Sequence, residues 1–482
     1  MSNNTEKIPQ GWAAATLADV TEHHSGNSKL IKGRLSSHAG EKLFAAFSAT
    51  GQDVWRDGYE EEGDAVIVSA VGARCGKCFL ASGKWSAIAN THVVRPRDHA
   101  INVRFLWYRL NNEHFWIRSG AAQPFVVVTK TLEREFPLPP LAEQERIVTK
   151  VDEFISELDS GIKELEEAQV ELKRYRASVL AAACSGKLVP TEAEVARSEG
   201  RSYETGSELL TRILKERHEK WNGRGKYKEP ASPDTTGLSA LPEGWTWASV
   251  AQLSLVGTGA TPNRGDSSYY HNGDIAWITS GALNNLQVKE ASEFVTEKAL
   301  KETNLTLYPA GTLLLAMYGE GKTRGKCSEL MISATTNQAI AAVQVMDSEV
   351  KNYLKIFFWK NYEDVRGHSS GGVQPNLNLS IVASIAVPLP PLAEQKRIVS
   401  EVECRLSVAD EIEQVLSANL QRAEHLRQSI LQQAFTGKLV PQDSSDEPAA
   451  ALLERINAKR VDAAPRTKVI SKTRGRSKTA IK

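Results

Sequence analysis

A chain of 482 residues is long enough for three to four structural units, and 41% hydrophobic with 24% charged residues is the composition of an ordinary soluble globular protein. A formal net charge of +1 gives no global signal for a polyanionic partner. The opening M-S-N-N-T-E-K has no apolar stretch for a signal peptide, no run of about 18 apolar residues is available to span a membrane, and five cysteines imply no disulfide framework, so a cytoplasmic protein with no membrane attachment is expected.

Residues 1–136 form the first expected domain, opened by Pro9, Gly11 and Trp12. Short apolar runs such as Ala65-Val66-Ile67-Val68, punctuated by glycine, read as strands, and Val103 to Asn112 reads as a helix. The loop Gly72-Ala73-Arg74-Cys75-Gly76-Lys77 is rich in residues that hold phosphates and base edges; an ordinary surface loop has the same composition. Cys75 and Cys78 make a C-x-x-C pair, but a structural zinc site needs four ligands and no second pair exists, so two packing cysteines are expected.

From Pro137 to Pro190 the pattern changes to one long stretch that opens P-L-P-P-L-A-E-Q and closes G-K-L-V-P, the start and stop signals of a helix. Ile147, Val151, Phe154, Leu158, Leu165, Ala168, Leu172, Tyr175 and Val179 follow a spacing of four and three, interrupted at Gly161. That is a coiled-coil seam. Roughly 40 helical residues at ~1.5 Å each make a rod of ~60 Å.

Residues 191–240 are expected to be a linker with a short helix around Leu209, Leu210, Arg212 and Ile213. The second domain, 241–387, opens with Pro242, Gly244 and Trp245 and again mixes strand-like runs such as Thr312-Leu313-Leu314-Leu315 with a helical patch, Val350 to Lys360. Ala316-Met-Tyr-Gly-Glu-Gly321-Lys322-Thr323 comes close to a phosphate-binding loop. It begins with alanine where the motif needs glycine, and Arg324-Gly325-Lys326-Cys327 does not open a helix, so ATP binding is not expected.

Residues 388–441 repeat the long helix, with a seam through Ile398, Val402, Leu406, Ala409, Ile412, Leu416, Leu420, Ala423, Leu426 and Ile430. Residues 442–482 hold a short helix around Leu452, Leu453, Arg455 and Ile456, then a basic tail. From Lys459 to Lys482 nine Lys or Arg stand against Asp462 alone, a tail that binds polyanions or simply solubilises.

The two long segments align without a gap at an offset of 251, and the whole order is domain, helix, short helix, twice over. A period that long is a whole-domain duplication and not a solenoid repeat. The expected fold is α+β: two duplicated globular domains separated by two long helices that pair as an antiparallel coiled coil with pseudo-two-fold symmetry. Packing of each helix on its own neighbouring domain is the other way to bury the seams. No H-E-x-x-H, G-x-S-x-G, strand-borne G-x-G-x-x-G or Asn-Pro-Pro-Tyr is present, which favours a binding subunit over an enzyme.

G-W near each domain start, P-L-P-P-L-A-E-Q-x-R-I-V, a long helix and then G-K-L-V-P, all twice, resembles the specificity subunit of Type I restriction–modification enzymes. Gly259-Ala-Thr-Pro262 and Gly273 to Gly281 resemble the opening of such a domain; Ala13 to Lys29 lacks the G-x-x-P stretch. The resemblance implies two target recognition domains, each reading half of a bipartite, asymmetric site in double-stranded DNA. It implies helices that act as spacer and as dock for two modification (methyltransferase) subunits, joined by restriction subunits. S-adenosylmethionine, ATP and Mg are expected in those partners and no cofactor or metal in this chain, which would itself catalyse nothing. Candidate DNA contacts, at comparable places in the duplicated frame, are Arg74, Lys77, Asn90 and Gln123 in the first domain and Arg324, Lys326, Asn337 and Gln374 in the second. A bivalent protein-binding adaptor is the alternative from another class, and a fused specificity–methyltransferase enzyme is a third.

Overall fold

The computed structural model describes residues 8–112, 115–221, 226–318, 325–367 and 377–463. They divide into two compact units that cut across the order of the chain. One is Met1–Leu165 with Asn419–Lys482; the other is Glu166–Ala418. Each unit thus holds one globular domain, the beginning of one long helix and the end of the other.

In the first unit, a four-stranded antiparallel sheet runs in the order Thr21–Ser25, Thr91–Pro96, Ala65–Ser69, Cys78–Ala81. A second four-stranded sheet runs Gly51–Arg56, Phe44–Ser48, Lys84–Ala87, Glu61–Glu62, with Phe44–Ser48 and Lys84–Ala87 parallel. The strand Ala65–Ser69 is buried throughout because it serves two cores. Successive side chains of a strand point to opposite faces: Val66 and Val68 enter the core built on Trp12, Phe105 and Leu106, while Ala65 and Ile67 enter the one built on Phe47 and Trp85.

The second unit repeats this logic with a different sheet. Five strands run Ser254–Thr258, Ile340–Val345, Leu313–Ala316, Cys327–Leu330, Gln287–Val288, and three more run Glu293–Val295, Ile275–Ile278, Thr335–Thr336. Its central strand also feeds two cores, Leu313 and Leu315 on one face and Leu314 and Ala316 on the other.

The long helices are Leu141–Ala183 and Leu392–Phe435. They pack together antiparallel. In the first unit Ile147 and Val151 share a core with Ile430 and Ala434, flanked by Phe154, and Arg427 pairs with Asp159. In the second unit Val179 and Ala183 share a core with Ile398 and Val402, flanked by Leu406, and Arg176 reaches Asp410 at 2.6 Å and Glu413 at 2.9 Å. Towards the middle the seam thins. Leu158, Leu165 and Leu172 are half-buried, and Leu158, Gly161 and Leu165 line, with Asn419 and Ala423, a cavity of about 400 Å3 in the first unit.

On the second helix the buried stripe passes through Val402, Ala409, Leu416, Ala423 and Ile430, one residue in seven. Leu426, placed in the seam by spacing alone, faces outward at 50% exposure, as does Ile412 at 45%; on the first helix Tyr175 is also exposed. A paired-helix seam uses two positions per heptad; near the helix start both are enclosed, at Ile398 and Val402, but at Ile412 and Leu426 the second position is exposed.

The repeated motifs meet at one node in each unit. The first Pro-Leu of each P-L-P-P ends a strand paired with the segment after the G-W: Pro137 lies opposite Ala14 and Pro388 opposite Trp247. The next two prolines start the helix, and the following glutamine folds back, Gln144 Nε2 donating to Pro139 O at 2.9 Å and Gln395 Nε2 to Pro390 O at 2.8 Å. The G-K-L-V-P glycines end the helices in the left-handed region, φ 70° at both Gly186 and Gly437. The next amide closes the turn, Lys187 N donating to Ala182 O and Lys438 N to Gln433 O. A Cβ on Gly437 would lie 2.6 Å from Pro9 Cγ, and one on Gly186 would lie 2.5 Å from Pro242 Cγ. The short helices dock at the same place: Ala449 N donates to Gly11 O at 2.9 Å and Gly206 N to Gly244 O at 2.7 Å. Arg146 binds Asp446 at 2.7 Å, and Arg397 binds Glu192 at 2.7 Å. Burial would raise the Glu192 carboxyl, but its hydrogen bonds to Arg397 and Arg201 prevail and hold it below the ordinary range.

Candidate nucleic-acid interface

In the first unit the four residues singled out by composition sit, exposed, on three separate loops. Arg74 and Lys77 lie on the turn between Ala65–Ser69 and Cys78–Ala81, Asn90 lies between Lys84–Ala87 and Thr91–Pro96, and Gln123 lies in the hairpin of Arg118–Ser119 and Phe125–Val126. Main-chain hydrogen bonds gather these loops into one face. Ala70 N donates to Asn90 O at 2.9 Å, Val126 N to Ala70 O at 2.9 Å, and Gly72 N to Pro124 O at 2.8 Å. Asn90 adopts φ 66°, a conformation asparagine tolerates better than most residues. Gly76, at φ 89°, closes the first loop against Trp116; a Cβ there would lie 2.9 Å from the indole.

Beneath this face the electrostatics are apolar. Cys75 and Cys78 are buried, and burial drives the Cys78 thiol far above its ordinary pKa. Burial pushes the imidazole of His92, next to the Asn90 turn, down to about 4, so it is neutral at pH 7 and leaves the positive charge to Arg74 and Lys77. Among the described residues no group of three or more His, Cys, Asp or Glu side chains is placed to hold a metal ion.

The second unit uses the same construction. Gly325, at φ 80°, donates its N–H to Ala316 O at 2.8 Å, as Gly76 N donates to Ser69 O. Trp359 Nε1 donates to Cys327 O at 3.2 Å, as Trp107 Nε1 donates to Cys78 O at 3.0 Å. Burial pushes the Cys327 thiol up to about 12. Lys326 and Asn337 are half-buried. The Lys326 ammonium donates to Asn284 Oδ1 at 2.9 Å, and Asn337 Oδ1 accepts from Ala339 N at 3.1 Å. The two loops adjoin through Met317 N, which donates to Ala339 O at 2.8 Å. Arg324 and Gln374 lie outside the described residues, as do Gly321, Lys322 and Thr323 of the near phosphate-loop.

One residue escaped sequence reasoning. Gly26 follows Trp12 by 14 residues, as Gly259 follows Trp245, and that shared spacing was the signal. Both pass directly against the turn that carries the asparagine: a Cβ on Gly26 would lie 2.3 Å from Ile88 O, and one on Gly259 would lie 1.6 Å from Thr336 O. Gly26 is therefore the counterpart of the glycine in Gly259-Ala-Thr-Pro262, and Lys29 stands in the place of Pro262.

Residues 9–167 and 242–421 both match the family described as the Type I restriction modification DNA specificity domain. The chain belongs to that family. Each matched specificity domain begins at the proline before its G-W motif and runs into a long helix. Among relatives, the chain is 24% identical over 474 residues to the Type I restriction enzyme EcoDI specificity subunit of Escherichia coli, covering 94% of this chain and 96% of that one. The fold matches a chain from a structure of a type I R-M system, with a TM-score of 0.63 and 16% identity over 90% of this chain and all of the other. It also matches the HsdS subunit of Thermoanaerobacter tengcongensis, with a TM-score of 0.50 and 16% identity over 91% of this chain and all of the other. Among the described residues no helix is long and apolar enough to cross a membrane.

Proposed function

We propose that this chain is the sequence-specific DNA-binding subunit of a Type I restriction–modification assembly, each unit reading one half of a bipartite and asymmetric target. The observation that carries this reading is the second copy of the specificity domain, built on the same node and the same glycine-closed turn but with different side chains on its loops. In the major groove each base pair presents its own pattern of donors and acceptors, so two faces of different composition select two different half-sites. Methylation and cleavage belong to partner subunits: two modification subunits that bind S-adenosylmethionine and methylate adenine, and restriction subunits that use ATP and Mg. A methyltransferase must extrude its target base, which places each reading face beside one catalytic partner.

The test is domain exchange. Replacing residues 9–136 with the equivalent domain of a relative, and mapping methylated adenines in cells that also express the modification partner, should change one half-site and preserve the other. A change in both halves would end the modular reading. Filter binding to duplex DNA should show a steep loss of affinity with salt; a protein-binding adaptor would show none.

A further inference from the structure

Between the strands Thr21–Ser25 and Phe44–Ser48 the first unit makes a long excursion, residues 26–43, to which the proposed function assigns no role. It carries Lys29, Lys32, Arg34 and Lys42 against one acid, Glu41. Its shape is fixed at several points. Gly26 N donates to Thr91 O at 2.9 Å, Asn27 N donates to Ala87 O at 2.8 Å, and Leu30 O accepts from Ala89 N at 3.1 Å. Leu30 and Leu35 pack against Ala46, Val54 and Ile88. Ser36 exchanges both main-chain bonds with Trp55, at 3.1 and 2.9 Å.

Between these anchors a 3-10 turn, Lys32–Arg34, leaves Lys29, Ile31, Lys32 and Arg34 exposed. Lys32 is tied to Asp53 and to Thr50 Oγ1. Lys29 and Arg34 form no ion pair among the described residues. Ala89, which holds Leu30, precedes Asn90, which holds Ala70, so the excursion continues the face that bears Arg74 and Gln123. In the second unit the corresponding stretch, 259–274, has Arg264 against Asp266 and Asp274. Arg264 is bonded to Glu293 at 2.6 Å and lies over the Trp277 ring at 4.9 Å, so its charge is already matched.

We propose that the excursion 26–43 is a backbone arm: Lys29 and Arg34 each hold a phosphate of the duplex, and the second unit has no equivalent. This rests on the DNA-binding reading above. Unpaired cations on a shaped, exposed turn meet the phosphate chain wherever the adjoining face meets the bases, and phosphate contacts fix register without selecting sequence. The arm therefore strengthens binding through the first unit alone.

The experiment uses the full chain assembled with its modification partners. Affinity is measured for the mapped target duplex and for a scrambled duplex over a range of salt, for wild type, Lys29→Ala/Arg34→Ala, Lys29→Arg/Arg34→Lys and Arg264→Ala. Each lost phosphate contact lowers the slope of log affinity against log salt by about 0.9. The double alanine variant should lose about 2 from that slope, weaken on both duplexes by the same factor and methylate the same sequence. The charge-conserving variant Lys29→Arg/Arg34→Lys should retain the slope, and Arg264→Ala should leave it unchanged. An unaltered slope in the double alanine variant, a loss confined to the target duplex, or an equal loss in Arg264→Ala would overturn the proposal. Wild-type binding indifferent to salt would instead overturn the DNA-binding reading.

Discussion

The indole N–H of Trp12 donates to Glu143 Oε2 at 2.9 Å, joining residues 131 positions apart inside the first unit. Trp245 repeats the bond to Glu394 Oε1 at 3.0 Å in the second. All four side chains are buried. Burial holds both carboxyls above their ordinary range, against the lowering effect of the indole bond at Glu143 and of the Glu192 amide and the indole bond at Glu394. Two motifs far apart in the sequence, G-W and L-A-E-Q, are thus two ends of one hydrogen bond.

Removing the donor leaves a buried acceptor short of a partner, which costs about 1–3 kcal/mol. Trp12→Phe should lower the stability of the first unit by that amount, and Trp245→Phe that of the second. Chemical denaturation of each variant checks this; a midpoint equal to wild type would show that the bond contributes nothing.

Gly161 and Gly186 should respond oppositely to alanine. Gly161 lies within the first long helix, and a Cβ there would meet nothing within 4 Å. Gly161→Ala should stabilise by about 0.5–1 kcal/mol, because glycine is that much worse than alanine in a helix. Gly186 sits at φ 70° with Pro242 in the way, so Gly186→Ala should destabilise. Thermal melts of the two variants should move in opposite directions.

His92 predicts a pH dependence. Its imidazole titrates near ~6.5 in the unfolded chain and at about 4 in the folded one, chiefly through burial. Between those values the unfolded chain binds the proton and the folded chain does not. Stability from this group is present above ~6.5 and lost as pH falls toward 4. His92→Gln should flatten the fall in melting temperature across that window; an unchanged pH profile would remove His92 from the account.

Alanine at Arg74, Lys77, Asn90 or Gln123 should alter recognition of one half-site only, and alanine at Lys326 or Asn337 that of the other. A base-reading residue relaxes specificity at one position, while a phosphate contact weakens all sequences alike. Methylation mapping of each variant separates the two. Wild-type maps and affinities in all six variants would mean that other loops do the reading.

The helices were legible in the sequence because their signals are local. Prolines start them, Gly186 and Gly437 stop them, and the heptad spacing runs between. Leu426 was misplaced because a spacing of four and three marks two positions per heptad along the whole helix; near its start both are covered, at Ile398 and Val402, but further along the enclosed one is that shared by Leu416, Ala423 and Ile430. The gathering of Arg74, Asn90 and Gln123 was not legible as geometry. It depends on amide-to-carbonyl bonds from Ala70, Gly72 and Val126, which any residue but proline can make. Gly26 could have been found, since its distance from Trp12 repeats at Gly259 and Trp245, but the missing proline at Lys29 hid the match.

The division of the chain has a consequence for synthesis. The second unit is one continuous stretch, Glu166–Ala418, and is complete once that stretch has left the ribosome. The first unit draws Ile430, Ala434, Ala449, Leu452 and Ile456 into the core that surrounds Trp12. Domains generally fold as they emerge, N-terminal first. Here the domain translated first waits with an open apolar face until the chain has been made through Ile456, so a nascent chain halted after Ala418 would hold a finished second unit and an unfinished first one.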